Sequence, residues 1–159
     1  MRLSFTAVAA AFSLFAIQAF AQTSTQDFVT KVAISDMFEI QSSKIAAQKG
    51  NENVRAFAQQ MITDHTKTSN ELKSMVGKAK AKLPSALDAE HQKKLDQLQK
   101  LAGDQFSQIY ANMQVQAHED AVRLFEAYSS SGDDAELKAW AAKTLPALKE
   151  HLQHAKALK

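Results

Sequence analysis

The stretch Val54-Arg55-Ala56-Phe57-Ala58-Gln59-Gln60-Met61-Ile62-Thr63-Asp64-His65 decides the fold class. Its apolar residues recur at intervals of three and four, the spacing of one face of an α-helix. Leu72 and Val76 carry the stripe further. Period-two alternation of β-branched residues is missing along the whole chain, so strands are not expected.

The same reading extends in both directions. Phe28, Val32, Ala33, Ile40 and Ala46 mark an earlier helix, from about Gln26 to Lys49. The quoted stretch belongs to a helix from about Glu52 to Lys80, and a shorter one follows from about Asp88 to Leu101. Phe106, Tyr110, Met113, Ala117, Ala121, Leu124 and Tyr128 stripe a helix from about Asp104 to Tyr128. Leu137, Ala141, Leu145, Leu148, Leu152 and Ala155 stripe the last, from about Asp134 to Leu158, which the capping-box pair Asp133 and Glu136 is expected to start. Gly50 and Gly132 fall at turns, and Gly103 and Pro84 separate the remaining helices. The expected fold is all-α: an up-down-up-down four-helix bundle with Gly50 and Gly132 at one end. The short helix between long helices 2 and 3 is expected to cross one end.

The N-terminus reads as an export signal. Arg2 is followed by an apolar run from Leu3 to Ile17, and Ala19-Phe20-Ala21 has the small residues of a cleavage site. Residues 1–21 are therefore expected to be a signal peptide and residues 22–159 a single bundle domain, periplasmic or secreted. The run is shorter than the roughly 20 residues a membrane span needs, so no transmembrane anchor is expected after cleavage. Arg2 is the only charged residue of that segment, so the net +2 of the chain becomes +1 in the remainder. That balance gives no electrostatic case for nucleic acid. The Lys78 to Lys82 basic run reads as a solvated helix end. Cysteine is absent, so any metal must be held by His, Asp or Glu.

Polar residues on apolar stripes are the candidates for chemistry, because burying them without partners is costly. His65 continues the second helix's stripe and His151 the last one's. His118 lies at the edge of its own stripe, and Asp36 and Glu39 interrupt the first. Counted from the turns, Glu39, His65, His118 and His151 fall within roughly 10 Å of one another along the axis, at 1.5 Å per residue. One ligand-type residue per long helix at one depth is what a bundle-core metal site requires. His91, among charged neighbours, and His154, one turn after His151, read as a solvated and a rim residue. No Gly-x-Ser-x-Gly elbow, Gly-rich phosphate loop or thiol nucleophile is present.

These residues also resemble a family, through Phe28 to Glu39, Val54 to Ala58, Met61-Ile62-Thr63-Asp64-His65, Gly103-Asp104-Gln105-Phe106, His118, Leu137 to Ala141, Leu145-Pro146 and His151-Leu152. The chain is similar to the exported ferritin-like family named domain of unknown function 4142, often labelled an outer membrane protein. The resemblance implies a ferritin-like bundle and an envelope location, and little about activity. The label does not fit a chain without the alternating strands of an outer-membrane barrel. Ferritin-like di-iron sites carry a Glu three residues before each of two histidines, whereas Ile62 precedes His65 and Leu148 precedes His151. A single ion on Glu39, His65, His118 and His151 is expected instead, with Asp36 and Asp64 as further ligands or supports of the imidazoles. An imidazole-rich set suits the transition metals Zn, Cu, Ni or Fe. Storage, sensing and redox roles stay open, as do an enzymatic activity, a homo-oligomer and a protein partner. The alternative is a metal-free helical module for envelope stress or protein interaction.

Overall fold

The computed structural model describes residues 23–158. The expected signal peptide, residues 1–21, lies outside the described residues. The described residues form five helices: α1 (Thr25–Lys49), α2 (Glu52–Met75), α3 (Ala89–Gln99), α4 (Gly103–Ser131) and α5 (Ala135–Ala157). Among the described residues there is no strand, and no helix is long and apolar enough to cross a membrane.

Local chemistry sets the helix ends. Ser24, Asn51, Asp88 and Asp134 each accept a hydrogen bond from the backbone N–H three residues on, satisfying a donor of the first turn. The cap of α5 is thus Asp134, not Asp133. Asp133 is drawn away by Thr25, whose hydroxyl donates to it, and by the Tyr128 hydroxyl at 3.3 Å. Helix α2 ends at Met75, short of the expected Lys80. Gly77 is a poor helix former, and the chain leaves through a turn in which Lys80 takes φ 53°. Gly103 starts α4 at φ +57°, a conformation costly for any residue with a Cβ.

Helices α1 and α2 are joined by Gly50 and Asn51 and pack along their lengths as one hairpin, and α4 and α5 form a second. Their buried apolar residues divide into two clusters. In the first, the starts of α1 (Phe28, Val32) and α5 (Leu137, Trp140) meet the ends of α2 (Leu72, Met75) and α4 (Phe125, Tyr128). Phe28 stacks on Tyr128 with ring centroids 3.8 Å apart. In the second, the ends of α1 (Ala46) and α5 (Ala155) meet the starts of α2 (Val54, Phe57) and α4 (Phe106, Tyr110).

These pairings correct the expected alternation. Helices α2 and α4 run in the same direction, and α1 and α5 in the other. Gly50 and Gly132 therefore lie at opposite ends. The connection from α2 to α4 runs the length of the molecule beside α1, and α3 does not cross an end. Lys82 exchanges two hydrogen bonds of 2.9 Å with Gln26 at the start of α1. Further along, His91 packs edge-on against Phe38, and Lys49 at the end of α1 donates to the Gln99 and Leu101 carbonyls. A short turn forces the next helix to double back, but residues 76–102 are long enough to return the chain to the opposite end before α4 begins.

Candidate metal centre

The two apolar clusters are separated by a polar layer at mid-height. Glu39 comes from α1, His65 from α2, Gln114 and His118 from α4, and His151 from α5; none is more than 4% exposed. Each sits between residues of both clusters along its helix: His65 between Met61 and Leu72, His118 between Val115 and Phe125, His151 between Leu148 and Ala155.

The three imidazoles converge. Ring centroids are 5.6 Å apart for His65 and His118, 5.8 Å for His65 and His151, and 5.4 Å for His118 and His151. One ring nitrogen from each forms a group in which all atoms lie within 4.8 Å of one another. Nitrogens bound tetrahedrally to zinc at about 2.05 Å stand about 3.4 Å apart, so closing on an ion requires movements of about 1.4 Å or less.

Each ring is also held from outside. His65 Nδ1 bonds Asp36 Oδ1 at 2.7 Å, His118 Nδ1 donates to the Gln114 carbonyl at 2.9 Å, and His151 Nε2 bonds Asp64 Oδ2 at 3.0 Å. Asp36 is itself fixed by the hydroxyls of Thr68 and Ser69. With the outer nitrogen engaged as a donor, the other nitrogen of each ring carries a lone pair whenever the ring is neutral. Those atoms, His65 Nε2, His118 Nε2 and His151 Nδ1, are buried without a hydrogen-bond partner in the protein. Pinning one imidazole nitrogen so that the other can bind a cation is how ligand histidines are oriented.

Glu39 lies in the layer but outside the convergent group of three, with both carboxylate oxygens buried and unpartnered. Burial pushes its pKa up to about 7; His65 and Gln114, which stand near it, pull the other way. Burial dominates at His118, aided by His65, and depresses its pKa to about 3. His151 is lowered for the same two reasons, partly offset by Asp64. At His65 burial also opposes charge, but Asp36, Glu39 and Asp64 together outweigh it and raise the pKa. The layer therefore holds two imidazoles that burial keeps neutral, His118 and His151, beside a third, His65, and a carboxyl, Glu39, that both hold their protons more readily than usual, and a cation would displace those protons.

The remaining histidines stand apart from this layer. His91 is partly buried and bonds Asp88 at 2.7 Å, and His154 is exposed. Sequence reasoning missed Gln114, which is fully buried with both amide atoms unpartnered. Its signal was available one turn before His118, since Ser107, Ala111, Gln114 and His118 follow the four-three-four spacing of a buried face. The α4 stripe read from the sequence is rotated from that face. Met113, Ala117, Ala121 and Leu124 are only half-buried, and His118, expected at the stripe's edge, lies inside.

No curated protein and no solved structure matches the chain. The model of one family, described as a domain of unknown function (DUF4142), matches residues 11–158, and the chain belongs to that family.

Proposed function

We propose that this protein is an exported, ferritin-like metal-binding bundle that holds one transition-metal ion in its polar layer. His65, His118 and His151 are the ligands, and Glu39 is the carboxylate that completes the set. The observation that carries this reading is the convergence of three buried imidazoles, one nitrogen of each lying within 4.8 Å of the others, in rings that each have one nitrogen pinned and the other unpartnered. In a metal-free polar layer the inner ring nitrogens would need hydrogen-bond partners, and none of the three has one within the protein. The long connection between α2 and α4 supports the ferritin-like description, since bundles of that kind carry one such crossover. The donor set suits Zn, Cu, Ni or Fe. Without paired carboxylates to bridge two metals, the site fits a single ion better than a di-iron centre. The apolar run before the domain supports an envelope location.

Untagged protein, loaded with one of these metals and dialysed, is expected to retain close to one equivalent by elemental analysis. His65→Ala and His151→Ala are each expected to lose most of it. Retention of the full equivalent by both variants would rule out this site.

A further inference from the structure

A cleft of about 790 Å³ opens between α1, α3 and α4 and reaches the polar layer, with His65 and Asp36 among its lining residues. Its origin lies in small side chains. Ser35 on α1, Ala117 and Ala121 on α4, and Thr144 on α5 line it where larger residues would close the seam between the hairpins. Its size is within the roughly 300–1,000 Å³ typical of small-molecule sites.

Two features define what would fit. The walls are mostly apolar, built by Val32, Phe38, Ile109, Met113, Leu124 and Phe125, with the neutral amides of Gln97, Asn112 and Gln116 among them. The charges at the rim are matched among themselves: Lys94 with Glu90, Arg123 with Asp120, and His91 with Asp88. Asp36 is engaged by His65, and among the described residues the exposed Lys31 is the one lining charge without an ion-pair partner. An ionic ligand would find almost no uncommitted partner, and a neutral apolar one would bury its surface against the walls.

We infer that this cleft is a binding site for a neutral, largely apolar small molecule, which it brings against the His65 side of the polar layer. The placement beside a metal rests on the function proposed above; the binding itself does not. A neutral fluorescent probe, N-phenyl-1-naphthylamine, tests it with the full-length mature protein. Saturable one-to-one enhancement is expected, weakened at least tenfold by Ala117→Trp and by Ser35→Trp, which fill the cleft from opposite walls. The exposed Lys67→Trp should change nothing, and circular dichroism identifies any variant that has lost its helices. Cu(II) is expected to quench the bound probe in the wild type and not in the His65→Ala variant. Absence of saturable binding in protein that retains its metal would overturn the cleft while leaving the metal site standing. Probe binding that survives both tryptophan variants would overturn it as well. Intact binding in protein that takes up no copper would count against the metal site alone.

Discussion

Glu39 and His118 respond to their burial in opposite senses. His118 has a folded pKa of about 3 against an ordinary 6.5, so the unfolded chain takes up its proton first as pH falls. Its contribution to stability is complete above about pH 6.5 and is lost progressively towards pH 3. Glu39, raised from 4.5 to about 7, keeps its proton longer in the folded state, so its contribution is complete below about pH 4.5 and is lost as pH rises through 7. A bound cation needs both groups deprotonated. Metal affinity is therefore expected to fall below about pH 7, where Glu39 and the raised His65 take up protons. Competition with a chromophoric chelator at pH 8 and pH 6 should show a loss of about tenfold per proton involved, and Glu39→Gln should flatten the dependence. An equal affinity at the two pH values would contradict this assignment. Asp36 acts through His65, and Asp36→Asn is expected to weaken metal binding by about 10- to 100-fold while the protein stays folded. The histidines were legible because an imidazole on an apolar stripe stands out. Gln114 was not, because a neutral amide looks the same on a buried or an exposed face until the helix's rotation is known.

Helix positions were readable from spacing, and helix ends less so, because ends depend on one or two side chains whose partners are far away in sequence. Asp133 and Asp134 are adjacent and chemically identical, and only the contact with Thr25, 108 residues away, assigns the cap to Asp134. Asp134→Ala should therefore cost about 1 kcal/mol in denaturant unfolding, the usual value of an N-cap. Gly50 was read correctly as the end of α1, but for a reason that spacing does not give. Its φ is −70°, so no left-handed turn is involved. A Cβ there would lie 2.3 Å from Val54 Cγ1 and 2.8 Å from the Ala46 carbonyl. Glycine is needed because α1 and α2 approach so closely, and Gly50→Ala is expected to destabilise the protein by about 1–3 kcal/mol, as overpacking does. A change within 0.3 kcal/mol would mean that the hairpin opens readily at this corner.

The order of the helices was the least legible feature, because the direction of α4 depends on where the 76–102 connection delivers the chain. Even so, a frame that placed Gly50 and Gly132 together brought His65, His118 and His151 to similar depths, and their ring centroids lie within 5.8 Å of one another. His65, His118 and Glu39 all lie near the middles of their helices, and a midpoint keeps its height when a helix is reversed. The real order gives the candidate ligands a consequence for the whole molecule. His65 comes from the α1–α2 hairpin and His118 and His151 from the α4–α5 hairpin, whose mutual contacts are sparser than those within each hairpin. An ion held on these residues would tie the two halves together at mid-height, and it would stabilise only the state in which they are docked. At a free metal concentration about 100 times the dissociation constant, that linkage is worth about 2.7 kcal/mol. In a domain of this size it should raise Tm by about 10 °C. Calorimetry with and without a chelator measures the increment. His65→Ala removes the only imidazole from the first hairpin, so it should abolish the increment, whereas replacing the exposed His154 should leave it intact. If His65→Ala kept the full metal-dependent rise, the ion would be held by one hairpin alone, and the reading of the polar layer as a clasp between the two halves would be wrong.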